Sequence, residues 1–426
     1  METLLAGTIL IVTVALVLVR PGGLNRAWWP IFGGGAVVIT GLVPPEQVIG
    51  VLSETADPLV LLVGLMLLSA VAEKAGFFDW SASLAVRAGG GRVARLFALV
   101  FLIGCLVTAV LSLDATAVVL TPIVYGTVSR LRLKPLPFMF ACVYAANTAS
   151  LFLPISNLTN LLAYNAFDLG FAQYALIMLA PAALAVLTNL LLFAWLFRRD
   201  LQGSYDPIGS RFSPQSPAFF RATTGSIVVV LAAFFFAPLV GVSIGLIALV
   251  GGILMIGAAV ALGQVGIREV AGSVSWDVLA LVIGFFLVVR ATEGAGLGTL
   301  VHAVYAAAAP GDGFPQILTV AFATALGSNV LNNLPMTLVS LDALEPLVSN
   351  GGIESAAAYA TVVGTGVGPN LTVVGSLATL IWLSIVRGKG VEVTAKDYLK
   401  VGAVSTPPIL FSAALGLWLS LQLFGP

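Results

Sequence analysis

The residues of this 426-residue chain that could do chemistry are polar side chains placed inside long apolar stretches. Asp114 is the one acidic residue that we place deep within such a stretch, in the segment Ser112–Thr116. A carboxyl group removed from water favours its protonated form, so Asp114 is a candidate for binding and releasing protons. It could also hold a cation together with Asn332 and Asn333. The structural alternative is a neutral or capped aspartate that only holds a turn together.

Uncharged polar residues recur in three further segments, each next to residues that interrupt a helix. Pro154, Gly368 and Pro369 are the predicted helix breaks. A broken helix leaves a half-helix N-terminus, whose unpaired N–H groups favour oxyanions or polar oxygens. The predicted substrate-binding residues are Asn147, Ser156, Asn157, Asn329, Asn332, Asn333, Thr372, Gly375 and Ser376. The alternative role for such residues is hydrogen bonding that holds membrane helices together.

The composition excludes most other classes of protein. Hydrophobic residues make up 59% of the chain and charged residues 9%, which is too few to solvate a globular surface. Basic and acidic residues number 19 each, so we predict no nucleic-acid partner. With one histidine and two cysteines, Cys105 and Cys142, we predict no metal site and no cofactor. No Ser/His or paired Asp constellation lies at depth, so we predict a membrane protein that is not an enzyme.

The elements that must position these side chains are all helical. We predict an all-α polytopic membrane protein with ten transmembrane helices and two re-entrant hairpins. The predicted spans are 3–20, 27–43, 57–75, 134–166, 171–197, 224–240, 242–262, 276–292, 354–386 and 399–424, and the hairpins are 93–130 and 314–348. The spans 134–166 and 354–386 are overlong and carry the breaks. If both termini are periplasmic, every basic residue except Arg290 falls in a cytoplasmic segment, and Glu293 could partner Arg290.

An internal repeat relates the two halves of the chain. Asp57, Gly64 and Glu73 recur 220 residues later as Asp277, Gly284 and Glu293. Each half has an odd number of crossings, so the two repeats must be inverted relative to each other. We assign residues 1–198 to the first inverted repeat, 199–221 to a cytoplasmic linker and 222–426 to the second. Inverted repeats with broken helices at the membrane midplane are typical of secondary transporters.

At these same segments the sequence resembles the ArsB-type arsenite permeases of the ion transporter superfamily. The matching residues are Asp114–Val124, Thr148–Leu151 leading to Ser156–Leu158, Asn332–Pro335, Gly368–Thr372 and Gly375–Leu380. The resemblance implies a multi-pass protein of the inner (cytoplasmic) membrane that exports arsenite or antimonite in exchange for protons. It also implies an optional soluble ATPase subunit as partner. The alternatives are a sodium-coupled antiporter or anion carrier of the same superfamily, and a channel subunit driven by a separate ATPase. The sequence gives no oligomeric state.

Overall fold

A computed structural model describes residues 2–167, 169–207, 212–266, 268–269, 272, 274–293, 298–299, 301, 303, 305, 313–349 and 355–425. Within these ranges the fold is built from α-helices. The first half contains α1 (Glu2–Val19), α2 (Trp28–Ile39), α3 (Pro45–Glu54), α4 (Ala56–Lys74), α5 (Phe77–Ala88), α6 (Val93–Val110), α7 (Thr121–Arg130), α8 (Pro135–Ala149), α9 (Leu158–Ala166) and α10 (Phe171–Leu196). The second half contains α11 (Pro217–Val240), α12 (Ile244–Ala261), α13 (Trp276–Glu293), α14 (Phe314–Leu331), α15 (Asn333–Ser349), α16 (Ser355–Val367), α17 (Leu377–Gly388) and α18 (Ala395–Phe424).

Within the described ranges the helices form ten membrane crossings, two of them in two pieces, and two hairpins that enter and leave the membrane on one side. Nine of the described helices are long and apolar enough to span a bilayer by themselves, including the first arms of the hairpins, α6 and α14. The shorter apolar helices α2 and α17 belong to two further crossings, the second of which also contains α16. The 18-residue helix α13 is the tenth. The fold is therefore the predicted one, with two inverted repeats. The repeat boundaries at 198 and 222, and the linker between them, stay predictions.

The two halves exchange helix contacts at two matching glycines. The helix α4 packs along α12 of the second half, and α13 packs along α2 of the first half. A Cβ atom at Gly64 of α4 would lie 2.4 Å from the backbone carbon of Ala248, and one at Gly284 of α13 would lie 2.4 Å from that of Pro30. Only glycine permits backbones to approach this closely. The residues that match in the sequence repeat therefore make equivalent crossings.

Each broken helix is interrupted near the middle of its crossing, and its second piece begins after a capping residue. The helix α8 ends at Ala149, and α9 starts after Asn157, whose side-chain oxygen accepts a hydrogen bond from the Thr159 N–H at 3.2 Å. The helix α17 starts after Ser376, whose hydroxyl accepts from the Thr379 N–H at 3.1 Å. Each cap satisfies one of the N–H groups that a helix start leaves unpaired.

The hairpin tips are shorter than the sequence predicted. In the first hairpin the backbone of Asp114 is already helical, and a π-helical turn over Ala115–Leu120 leads into α7. In the second hairpin Asn332 alone, with φ 76° and ψ 156°, separates α14 from α15. These angles lie outside the left-handed helical region and are rare for residues other than glycine, so the reversal is concentrated in one strained residue. From the sequence we predict irregular backbone at the hairpin tips over Ser112–Thr116 and Gly327–Pro335, and both predictions are too long.

Candidate substrate site

A cavity of about 70 Å³ lies where the hairpins meet the broken helices. Its polar lining residues come from all four segments that the sequence analysis singled out: Asp114, Asn157, Thr159, Asn332, Asn333 and Ser376. Apolar residues of α4 and α13, among them Leu62 and Leu281, form the opposite wall. No basic side chain of the described residues lines this cavity. The site is therefore a small chamber of amide and hydroxyl groups with a single carboxylate.

Asp114 sits at the junction of three cavities. It lines the 70 Å³ chamber, a 20 Å³ space beside Ser156, and a 110 Å³ space along α4. The side chain is half-buried, and within the described part of the chain its carboxylate has no hydrogen-bond or ion-pair partner. A half-buried carboxylate without a partner remains available to a proton or to a ligand.

Hydrogen bonds fasten each hairpin to the broken helix of the same half. The Ser156 hydroxyl donates to the Ala109 carbonyl at 3.0 Å. On the other side, the Asn332 side-chain amide donates to the Val374 carbonyl at 2.9 Å, and the Asn333 backbone N–H donates to the Gly375 carbonyl at 2.9 Å. The chamber is therefore held by bonds from both halves, and the predicted residues Ser156 and Gly375 contribute to its frame.

Three of the predicted binding residues are bonded to protein groups outside the chamber. The Asn329 amide donates to the Gly368 carbonyl at 2.9 Å, and its oxygen accepts from the Thr372 hydroxyl at 2.7 Å. Asn147 is buried and donates to the Asn370 side chain at 3.1 Å and to the Thr379 hydroxyl at 3.2 Å. Asn329, Thr372 and Asn147 therefore join backbone segments, and none of them lines the chamber.

The predicted breaks at Pro154, Gly368 and Pro369 lie within the two interruptions. Pro154 opens a short 3₁₀ turn that precedes Asn157, and Gly368 and Pro369 begin a similar turn after α16. A Cβ atom at Gly368 would lie 2.6 Å from the Cα of Ala325 in α14, so this break also permits close packing against the second hairpin.

Sequence reasoning missed a buried polar network behind the chamber. Asn370 donates to the Thr148 hydroxyl at 3.0 Å, and Asn189 of α10 donates to the same hydroxyl at 3.1 Å. Tyr144 donates to the Asn370 carbonyl at 2.7 Å. These bonds tie α8 and α10 to the second broken helix. The available signal was Asn189, an isolated polar residue in an otherwise apolar span.

A larger cavity of about 450 Å³ lies farther along α13, away from the chamber. Within it the Arg290 guanidinium donates to both carboxylate oxygens of Glu54 in α3, at 2.8 Å. The side chain of Glu293, the predicted partner of Arg290, lies outside the described residues. An exposed ion pair of this kind contributes at most about 1 kcal/mol to the free energy of unfolding. The pair therefore shows that α3 and α13 are in contact but stabilises the fold little.

The fold and the chamber define a multi-pass membrane transport protein. The YdaH transporter of Alcanivorax borkumensis has a similar fold, with a TM-score of 0.64 over 99% of this chain and 98% of that one at 16% identity. The chain belongs to the ArsB family of arsenical pump membrane proteins, whose family model matches residues 5–421. The arsenical pump membrane protein of Escherichia coli (strain K12) is 32% identical over 99% of this chain and all of the relative, and that of Yersinia enterocolitica is equally similar.

Proposed function

We propose that this protein exports trivalent arsenite and antimonite across the cytoplasmic membrane in exchange for protons, and so confers resistance to these metalloids. The observation that carries the proposal is the Asp114 carboxylate, which has no partner among the described residues and faces a chamber of amides and hydroxyls. Family membership supports arsenical transport, and the chemistry of the chamber supports a proton as the coupling ion.

The lining suits an uncharged polyhydroxy substrate. Arsenite is a neutral trihydroxide near neutral pH, so its hydroxyls can donate to the Asp114 carboxylate and accept from the amides of Asn157 or Asn333. A multiply charged anion would need basic groups, which the chamber lacks among the described residues. Both cysteines are buried in α6 and α8 and do not line the chamber, so recognition goes through oxygen and nitrogen atoms.

Arsenite export is coupled to proton entry because the proton and arsenite compete for the Asp114 carboxylate. Hydrogen bonds to an ionised group contribute about 1.5–3 kcal/mol, against about 0.5–1.5 kcal/mol for neutral pairs. Protonation of Asp114 would therefore weaken arsenite binding by about 1–1.5 kcal/mol, which is roughly tenfold. A proton arriving from outside displaces the substrate there, and loss of the proton inside restores the binding form.

The proton gradient is sufficient to drive this exchange. Arsenite is neutral, so a one-for-one exchange moves one charge, which corresponds to about 2.3 kcal/mol per 100 mV of membrane potential. At about 1.4 kcal/mol per factor of ten, this supports a substrate gradient of roughly 50-fold per 100 mV. Export therefore needs no ATP. A soluble ATPase subunit, where one is present, would supply energy beyond that of the proton gradient.

Everted membrane vesicles with an acidic interior provide the test. We expect arsenite to accumulate inside them, and collapse of the pH gradient or the substitution Asp114→Asn to abolish accumulation. Glu392→Gln is the control, because Glu392 is an exposed acidic residue remote from the chamber. Wild-type transport by Asp114→Asn, or accumulation driven by a sodium gradient, would refute proton coupling through this residue. Accumulation that requires an added ATPase subunit would support the channel alternative.

The orientation is part of this proposal. We place both termini in the periplasm, because the basic residues other than Arg290 then face the cytoplasm. Under this orientation the 450 Å³ cavity faces the periplasm, and the cavity along α4 faces the cytoplasm.

A further inference from the structure

One face of α4 forms the wall of a continuous cavity that starts at Asp114. The cavity has a volume of about 110 Å³ and is lined by Leu62, Leu65, Met66, Ser69, Ala70 and Glu73. These positions follow one another at helical spacing, so they form a single stripe. From Leu62 to Glu73 this stripe extends about 16 Å along the helix. The cavity therefore connects the half-buried carboxylate of Asp114 to a second carboxylate at the end of α4.

The cavity carries hydroxyl groups between its two carboxylates. Ser69 is 8% exposed, and within the described residues its hydroxyl oxygen is buried without a hydrogen-bond partner. Ser112 and Ser275 line the same cavity. A buried hydroxyl without a protein partner is costly unless water satisfies it, and a cavity of this volume has room for several water molecules. Ser69 therefore points to a hydrated passage.

Two charged groups lie close to Glu73, and among the described residues neither forms an ion pair with it. Lys74 forms its ion pair with Glu269. Asp79 of α5 is the other acidic group close to Glu73; burial raises the pKa of Asp79, and the nearby Arg130 opposes this shift. Glu73 itself is exposed and has no ion-pair partner among the described residues. Its carboxylate is therefore an open end of the passage.

We propose that Glu73 and Ser69 form the route by which protons pass between Asp114 and the cytoplasm. The proton leaves the Asp114 carboxyl group, crosses the water held by the Ser69 hydroxyl, and binds the Glu73 carboxylate. From Glu73 the proton passes to the cytoplasmic water. The whole step transfers one proton, with its positive charge, and only O–H bonds break and form. Glu73 acts here as a proton relay that does not contact the substrate. The inference rests on the proposed proton exchange at Asp114.

The test measures proton movement and arsenite binding separately. The purified protein is reconstituted in liposomes that contain a pH-sensitive dye, and arsenite is added to one side. We expect Glu73→Gln to slow arsenite-coupled proton movement by roughly tenfold. A positioned proton-transfer group typically contributes about 100-fold or more, and the effect here is smaller because water partly replaces the Glu73 carboxylate. The equilibrium affinity for arsenite, measured by calorimetry, remains that of the wild type. Glu73→Asp restores most of the rate, and Ser69→Ala gives an intermediate rate.

Controls separate this inference from the proposed function. Glu392→Gln matches the chemical change of Glu73→Gln at an exposed site outside the cavity, and we expect it to behave as the wild type. If Asp114→Asn abolishes exchange while Glu73→Gln keeps the wild-type rate, the route is refuted and the exchange stands. If Glu73→Gln loses affinity as well as rate, its role is structural and the inference is refuted. If the wild type moves no protons with arsenite, both proposals are refuted.

Discussion

A substitution at Asn147 tests whether this residue binds substrate, as the sequence predicted, or joins the two broken helices, as the structure indicates. Its side chain donates to Asn370 at 3.1 Å and to the Thr379 hydroxyl at 3.2 Å, and all three residues are buried. Substitution with alanine removes these two bonds and a longer one, in which the Ser376 hydroxyl donates to the Asn147 side-chain oxygen at 3.5 Å. The side-chain oxygen of Asn370 loses its donor, whereas the Thr379 hydroxyl keeps its contact with Ser376 at 3.0 Å. Interhelical bonds of this kind contribute on average about 0.6 and at most about 1.7 kcal/mol each in a membrane protein. We therefore expect Asn147→Ala to lower the free energy of unfolding by roughly 1–3 kcal/mol.

The assay is denaturant unfolding of the purified protein in detergent, combined with calorimetric titration of arsenite. Asn147→Ala should unfold at lower denaturant concentration yet keep the wild-type affinity, because Asn147 does not line the chamber. Asn165→Ala, an exposed asparagine on α9 of the same broken helix, is the matched control and should leave stability unchanged. Wild-type stability with a large loss of affinity would refute this reasoning and restore the substrate-binding role that the sequence predicted.

Two further substitutions test the frame of the chamber. Ser376→Ala removes the cap of α17 and a chamber hydroxyl, so we expect a loss of about 1 kcal/mol in stability and up to about tenfold in arsenite affinity; Ser376→Thr, measured in the same titrations, should retain both. Gly64→Ala introduces a Cβ atom 2.4 Å from the backbone of α12, so thermal unfolding should show a destabilisation of about 1–3 kcal/mol. Gly257→Ala is its control, because a Cβ atom there meets nothing within 4 Å, and equal effects at both sites would contradict the crossing geometry.

The positions of the helix interruptions could be predicted from the sequence because their signals are local. A proline or glycine next to small polar residues interrupts a helix wherever it occurs, so the sequence could place Asn157 and Ser376 close to helix interruptions. That each residue caps the following half-helix is seen only in the structure. The repeat then implied that the two interruptions converge. Gly64 and Gly284 matched in sequence for a physical reason, since both permit a crossing of two backbones.

The features that sequence reasoning missed depend on distant contacts. The network of Asn147, Thr148 and Asn370 joins residues more than 220 positions apart, and nothing local tells whether an asparagine faces the chamber or another helix. The same holds for the hydrogen bonds between Arg290 and Glu54, which are 236 positions apart. The tip at Asn332 was predicted too long because a positive φ at one residue cannot be read from composition.

The exchanged glycine crossings have a consequence for how such a fold can arise. In each half, a helix with a glycine at the crossing packs closely against a helix of the other half. Neither half therefore buries these helix faces by itself. Two copies of a single half, inserted into the bilayer in opposite directions, would form both crossings at once. Joining them into one polypeptide then requires only a tether on one face of the membrane, after which the copies are free to diverge and place a carboxylate in one half alone.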